Sequence, residues 1–541
     1  MEPNPRMETT GLASVREAVW VVSLGLVLAF ARTISFPFVS NQNTYLLHGI
    51  GATFESLSDD WLMNTTDPYP FFSSMVGTWW SVFGFSGLRA LELMGTFVAL
   101  IGIWLIAKAL IRTPSSRAPL AIMVAIGLSA SVLVDAIPQR GLQLVSPEAA
   151  NVFARVGPPD PFQGFGGQYL LSFLQPSLAG SLLLPAMGLW FLSQRRALTS
   201  LPRVVSGQWL VVGALLLASL AAMLHPTYLV VTQVALLVAV AVDYSMQRVT
   251  RKRVFAYAAA SVSITAVTVL VNPGLIQVGS QSSSTTTALY RLAFERIPHH
   301  TLWTQWSPVD VVRLGLVLAA IWLAREVVNG IWIQRWIGGT LGVGLTLALV
   351  VEVTRWPTLA LLFPWRISVV LVPLAAVVVL VGLARRTTKR FRISNVMENA
   401  GLYVLALVSV VAAIGGTLVS ARQVPPTLGD ASVRLVNETR PTGVGLIPLG
   451  AQAIRLNAQV PIYVDWKSHP LVGSEVSEWW SRIDLVRSWE QNPETLCVTE
   501  LAASVDWVLM PQGTESPSCL NGWDTLGSSE GLVLLQKGKT A

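Results

Sequence analysis

The sequence predicts an α-helical polytopic membrane protein of about eleven transmembrane helices, closed by a small α/β domain at its C-terminal end. Three observations predict it. Only 12% of the 541 residues are charged and the mean hydropathy is +0.56, whereas soluble domains carry roughly 25% charged residues. Apolar runs long enough to cross a bilayer recur from residue 18 to residue 419. After residue 420 the composition turns polar and the periodicity becomes that of short strands and one amphipathic helix.

A spanning helix needs about 20 mostly apolar residues, because the hydrocarbon core is about 30 Å thick. Stretches that meet this run near 18–38, 88–109, 118–136, 168–193, 206–224, 227–247, 254–271, 309–324, 336–352, 367–384 and 401–419. The first is longer than the core of a signal peptide, about 7–15 residues, and no small-residue cleavage site follows it, so it reads as a retained anchor. The apolar stretch 70–85 is shorter and reads as a re-entrant or interfacial helix. The 20 tryptophans fit a chain with many membrane–water interfaces.

Basic residues set the orientation, because Lys and Arg collect in cytoplasmic loops. With the N-terminus inside and eleven crossings, 17 Lys and Arg fall in inner loops, in clusters such as 248–253 and 385–392, and 6 in outer loops. Counting 70–85 as a crossing would invert every later loop. The expected organisation is therefore a cytoplasmic N-terminus (1–17), a transmembrane domain (18–419) with a long first outer loop (40–87), and an extracytoplasmic domain (420–541), in a plasma (inner) membrane. The only two cysteines, Cys497 and Cys519, both lie in that tail. Disulfides persist outside the cytosol, so the pair is a candidate bridge, two separate buried thiols being the other reading.

In the tail, residues 460–464, 504–510 and 531–536 have strand character, and 475–488 helical spacing with Trp479 and Trp480. In the first outer loop, 41–54 and 70–85 read as short amphipathic helices flanking the acidic, turn-like run 58–68. No Walker-type or GxGxxG loop is present, which argues against an ATP-driven pump. The net charge of +7 follows from the inner-loop arginines, and no basic, aromatic-interleaved patch points to nucleic acid.

The outer loops hold the residues able to carry chemistry. Asp59 and Asp60 are adjacent, so at least one can point inward whatever the backbone does. A carboxylate there can act as a general base or offer hard oxygens to a divalent cation; a helix cap in a solvated loop is the plainer alternative. The six outer-loop cations are all arginine, Arg366, Arg296, Arg291 and Arg155 among them. A guanidinium binds phosphate bidentately and stays charged, so they suit a lipid-linked phosphate; contact with lipid headgroups or pairing with acidic residues is the alternative. His225, His299 and His300 lie on the same side, without the spacing of a zinc site. Arg32 and Glu92 lie within spans, where a charge usually faces a cavity or a partner, and they could pair with each other.

This layout resembles the GT-C superfamily of membrane glycosyltransferases. The residues that carry the resemblance are Asn41-Gln42-Asn43-Thr44-Tyr45, Asp59-Asp60-Trp61 with Asp67-Pro68, Gly166-Gly167-Gln168, His225-Pro226-Thr227-Tyr228, Pro364-Trp365-Arg366 and Val464-Asp465-Trp466-Lys467-Ser468. The same set resembles a bacterial multi-spanning family without an assigned activity. The GT-C resemblance implies a transferase that moves a sugar from a polyprenyl-phosphate donor to an acceptor at the outer face, in contact with membrane lipid. The loop-one base would be Asp60 or Asp59, although the superfamily's usual pair is of the Asp-Glu type. Arg366 and Arg296 would hold the phosphate, with Arg291, Arg155, His225, His299, Gln168, Asn43 and Trp61 as further substrate contacts. Asp160 or Glu148 would be the second-loop metal ligand. A transporter or flippase of lipid-linked glycan, and a non-catalytic envelope protein, are the alternatives in other classes; the oligomeric state is left open.

Overall fold

The computed structural model describes residues 8–32, 36–111, 117–131, 133, 134, 146, 160–171, 174–195, 207–273, 283–390, 395–514 and 517–538. The chain divides into two compact units. The first comprises Met1–Ile34, Ala90–Thr268 and Ile297–Ala421; the second comprises Ser35–Arg89, Val269–Arg296 and Arg422–Ala541.

The first unit is a helical membrane bundle. Among the described residues, 8 helices are long and apolar enough to cross a membrane. Each of the eleven expected spans coincides with a helix. Those below the length of a full crossing include Ala118–Ser129 and Pro308–Leu323. The latter opens with a capping box, Ser307 Oγ and N both bonding Asp310, which satisfies donors that a helix start leaves open. Leu174–Gln194 and Ser368–Arg390 are inner helices, buried along most of their apolar length, whereas Arg251–Val271 and Asn395–Arg422 present Val, Leu and Phe outward, as helices facing lipid do. Glycines bring the inner helices together. A Cβ on Gly102 would lie 2.5 Å from Leu184 Cβ and one on Gly188 2.5 Å from Leu105 Cβ, the close approach that drives helix association where no hydrophobic force acts. Arg32 bonds Asp160 Oδ2 at 2.9 Å rather than pairing with Glu92.

The helix Pro70–Leu110 is continuous except at Gly84, where φ is 54° and ψ −144°. The expected interfacial helix 70–85 and the span 88–109 are thus two helices joined at one glycine. The first helps to build the second unit. There a π-helical turn, Leu47–Gly51, packs on it through glycines: a Cβ on Gly49 would meet Ser73 O, and one on Gly77 would meet Gly49 O, each at 2.6 Å.

The C-terminal part of the second unit holds a four-stranded sheet in the order β1-β2-β4-β3, from β1 (Gly445–Leu446), β2 (Trp507–Pro511), β3 (Asp524–Ser529) and β4 (Leu532–Gln536). β1 and β2 are parallel; the other pairings are antiparallel. Val433, Val436, Ile447, Ile454, Ile462, Trp507, Leu509 and Leu534 form its core. The strand expected at 460–464 is reduced to an isolated bridge between Gly445 and Ile462. On the β1 side Pro461 has no N–H with which to extend the ladder, and on the opposite edge the Ile462 N–H is spent on Asp60 Oδ2. β3 escaped the sequence reading because its residues, Asp-Thr-Leu-Gly-Ser-Ser, are mostly polar and lie on an exposed edge. The helix Gly473–Gln491 packs on Ser283–Arg291, with Trp480 Nε1 donating to Ala288 O at 3.0 Å. Cys497 and Cys519 form a disulfide, Cα to Cα 5.2 Å.

Candidate functional site

The expected site residues fall into two polar centres, one in each unit. In the second unit the centre is a buried ion triad. Arg455 Nε donates to Asp60 Oδ2 at 2.8 Å, and Arg455 Nη1 donates to Asp465 Oδ2. The remaining oxygens are filled by backbone: Ile462 N reaches Asp60 Oδ2 at 3.1 Å, Met63 N reaches Asp60 Oδ1 at 3.2 Å, and Lys467 N and Ser468 N reach Asp465 Oδ1 at 2.8 and 2.7 Å. Asp60 and Asp465 have no exposed surface. A buried charge survives only when paired and hydrogen-bonded, and these are. In this arrangement Asp60 is a brace between the first loop and the tail, not a base open to an acceptor. Its neighbour Asp59 is exposed, in a cleft lined also by Trp61, Tyr463, Glu478 and Arg482.

Two of the expected phosphate ligands are committed in the same unit. Arg291 grips Asp484 through both terminal nitrogens, at 2.7 and 2.8 Å, with its guanidinium 3.9 Å from the Trp480 ring centre. Arg296 donates to the carbonyls of Trp466 (2.7 Å) and Lys467 (3.3 Å); burial lowers its pKa, opposed by Asp465. Asn43 donates to Phe38 O at 2.9 Å, with its own Oδ1 buried and unbonded. Trp61 stacks under Arg482 at 4.5 Å. The imidazole of His48 is pushed toward its neutral form by burial, against the pull of Asp67, Glu475 and Asp60.

The first unit presents a different centre. Arg366 sits on the 3-10 turn Pro364–Ile367, at the start of the helix Ser368–Arg390. It is 7% exposed, forms no ion pair among the described residues, and its Nε is buried without a hydrogen bond. Its guanidinium lies 5.2 Å from the Phe363 ring centre and 5.9 Å from that of Tyr228. The buried His225, beside Tyr228, is held well below its usual pKa by burial and then by Arg366. By contrast the buried Arg313 bonds Asp310 at 2.9 Å. Leaving a buried donor unsatisfied costs about 1–3 kcal/mol, more for a charged group, so Arg366 marks a place where a partner of opposite charge is wanted.

Immediately beyond Arg366, Ile367, Val370 and Leu371 line an apolar cavity of about 100 Å³. Leu183, Ala218 and Val231 from three other helices close it, and Thr232 and Thr340 supply its few polar atoms. The loop carrying Gln168 packs against the same turn, Phe165 N donating to Ser368 Oγ at 2.7 Å. His300 Nδ1 bonds Gly166 O at 2.8 Å, and His299 lies beside Gly166 and Gly167. The structure thus gathers Arg366, His225, Gln168 and His299 in one unit, and Asp59, Asp60, Arg291, Arg296, Asn43 and Trp61 in the other. Asp160 is occupied by Arg32 and Phe162 N. Arg155 and Glu148 lie outside the described residues. No group of three or more His, Cys, Asp or Glu residues that could hold a metal occurs among the described residues. Sequence reasoning missed Arg455 and Trp306 as parts of these centres; Arg455 carries no local motif, and one of its two carboxylate partners, Asp60, lies 395 residues away.

The sequence profile of a domain of unknown function, DUF6798, matches residues 434–486, the stretch that includes Arg455 and Asp465. No curated protein matches the chain. Among solved structures, the chain is similar to the archaeal oligosaccharyltransferase AglB from Archaeoglobus fulgidus in complex with an inhibitory peptide and a dolichol-phosphate, with a TM-score of 0.50 and 11% identity over 92% of this chain and 69% of that one. It is also similar to ArnT from Cupriavidus metallidurans bound to undecaprenyl phosphate, with a TM-score of 0.43 and 14% identity over 98% of this chain and 99% of that one. The first of these likenesses supports the fold: the chain is an integral membrane protein whose fold is like that of the archaeal oligosaccharyltransferase. At such identities the likeness is one of fold and not of chemistry.

Proposed function

We propose that the protein is a glycosyltransferase that takes a sugar from a polyprenyl-phosphate carrier at the outer face of the membrane. The observation that carries this is Arg366, a buried cation without a carboxylate partner among the described residues, placed one residue before the wall of an apolar cavity. A single ligand answers both features: an anionic headgroup on a long hydrocarbon tail. The GT-C neighbour held with dolichol-phosphate supports that ligand class.

In the proposed reaction, an acceptor hydroxyl attacks the anomeric carbon of the sugar. The new bond joins that carbon to the acceptor oxygen, the bond to the phosphate oxygen breaks, and its electron pair leaves on the polyprenyl phosphate. Arg366 stabilises the charge that develops there, an electrostatic contribution aimed at the leaving group. The acceptor's proton goes to a general base.

The test is binding of undecaprenyl phosphate to purified full-length protein, with undecaprenol as the uncharged control. Arg366→Ala is expected to weaken binding about 10- to 100-fold, the value of a charge-assisted hydrogen bond. Arg366→Lys, which keeps the charge but not the fork, retains part of it. Equal binding of undecaprenol and undecaprenyl phosphate by the wild type would overturn the proposal. Net movement of lipid-linked glycan across vesicles without a new glycosidic bond would replace it with a transporter.

A further inference from the structure

The described part of the first unit holds two buried arginines, and their surroundings differ. Arg366 forms no ion pair among the described residues, whereas Arg313 Nη1 meets Asp310 Oδ1 at 2.9 Å. What remains of the Arg313 fork goes to one loop. Nη1 also donates to Gly164 O at 3.3 Å, and Nη2 donates to Gln163 Oε1. The next residue of that loop reaches the turn that carries Arg366. Phe165 N donates to Ser368 Oγ at 2.7 Å, and Ser368 Oγ donates to Trp365 O. A continuous path thus runs from the Arg313 guanidinium, along two residues of backbone and the Ser368 hydroxyl, to the residue before Arg366.

Each joint in this path is tight. Arg313 is 5% exposed and Ser368 is fully buried. A Cβ on Gly164 would come within 2.2 Å of Ser368 Oγ and 2.8 Å of Val369 N, so the loop and the helix start approach as closely as glycine allows. Inside the loop, Gly164 N donates to Gln168 O at 2.8 Å and Leu170 N to Phe162 O at 2.9 Å, which makes it one piece. The turn it holds, Pro364–Ile367, is a single 3-10 turn entered through Phe363 at a φ of 52°. The hydrogen bonds of a 3-10 turn are poorly aligned, so such a turn takes its orientation from what it packs on.

That orientation matters because Arg366 is held where it would not stay by itself. A buried guanidinium nitrogen without an acceptor is destabilised, and on a free turn the long side chain would swing its head to water. We propose that Arg313 and Ser368 are positioning residues for the phosphate site. The Arg313 fork, its charge met by Asp310, fixes the loop; the loop, through Ser368, holds the turn so that Arg366 waits inside for the lipid phosphate. Neither residue touches the phosphate. A binding group kept in place by a surrounding shell of hydrogen bonds is the general requirement of a preorganised site. The proposal rests on the reading of Arg366 as the phosphate ligand.

The test is a double-mutant cycle on the full-length protein, read as binding of undecaprenyl phosphate, with undecaprenol as the uncharged probe. Gln163→Leu removes one arm of the Arg313 fork and leaves the ion pair with Asp310. Ser368→Ala removes the link to the turn. Each is expected to weaken binding of the lipid phosphate about 3- to 10-fold, the worth of one hydrogen bond, and to leave undecaprenol binding unchanged. Arg313→Lys, which keeps the charge and loses the fork, should do the same. In an Arg366→Ala background none of the three should cause further loss, because residues that act through one group are not additive. Residues that only stabilise the fold would weaken both probes together, or multiply the loss of Arg366→Ala. Either result overturns the proposal, as does wild-type affinity in Gln163→Leu and Ser368→Ala, which decide the matter if Arg313→Lys does not fold. If Arg366→Ala by itself leaves binding of the lipid phosphate unchanged, the phosphate reading fails, and the positioning roles with it.

Discussion

Asp60 shows how far the identity of a residue is from its role. Read locally, two adjacent aspartates in an outer loop of a GT-C-like chain suggest a base. In the fold, Asp60 is the inner of the two and is consumed by Arg455 and two backbone N–H groups. Removing one partner of a buried pair leaves the other charge uncompensated, at a cost of about 3–5 kcal/mol. Asp60→Asn is therefore expected to lower the stability of the protein by about that amount, and to lose activity in proportion to folded protein. Asp59→Asn, at an exposed position, should change stability by no more than about 0.5 kcal/mol. Denaturant unfolding of the two variants separates them, and an Asp60→Asn variant as stable as the wild type would mean that the triad does not hold the unit together.

At the scale of elements, most helices were legible because a bilayer imposes length and apolarity on them, and each expected span has a helix. The short tail strands were less so. Residues 460–464 have the composition of a strand, but a side chain from 400 residues away takes the Ile462 N–H, and no local pattern records that. The junction in Pro70–Leu110 was half legible: the sequence separated 70–85 from 88–109 without showing how the chain passes from one to the other. Gly84 does it with a φ of 54° and a ψ of −144°, a region open essentially to glycine. A Cβ there would touch nothing within 4 Å, so any penalty is in the backbone and not in packing. Gly84→Ala is accordingly expected to cost about 1–3 kcal/mol, read as a fall in thermal stability. Gly84→Ala melting like wild type would mean that the junction tolerates an ordinary residue.

At the scale of the whole molecule, the second unit draws on three segments far apart in sequence. Arg455 to Asp60, Arg291 to Asp484, and Thr66 N to Glu475 Oε1 at 2.8 Å tie first loop, fourth loop and tail together. The sequence named the first loop and the tail as outer features but treated the tail as a domain by itself, because long-range ion pairs leave no periodicity. The candidate site was legible where polar residues are concentrated in one short motif, as at Pro364-Trp365-Arg366, and illegible where a buried centre is assembled from distant residues, as at Arg455 and Asp60. Segments that fold into one unit must share one side of the membrane, so an even number of crossings separates each from the next. The eleven-span reading places six crossings between the first loop and the fourth, and four between the fourth and the tail, with 70–85 uncounted. From the 17 basic residues of the alternate loops against 6 we propose that this shared side is the outside, where the Cys497–Cys519 bridge would be chemically stable. Expressed in a bacterium, alkaline phosphatase fused after residue 541 is expected to be active and green fluorescent protein there dark. Fusions after residue 390, in the most basic inner loop, should behave in the opposite way. A maleimide reagent that cannot cross the membrane should label the tail cysteines of intact spheroplasts only after reduction. A fluorescent C-terminal fusion paired with an active phosphatase at residue 390 would invert the topology, and would place the Arg366 centre on the cytoplasmic side.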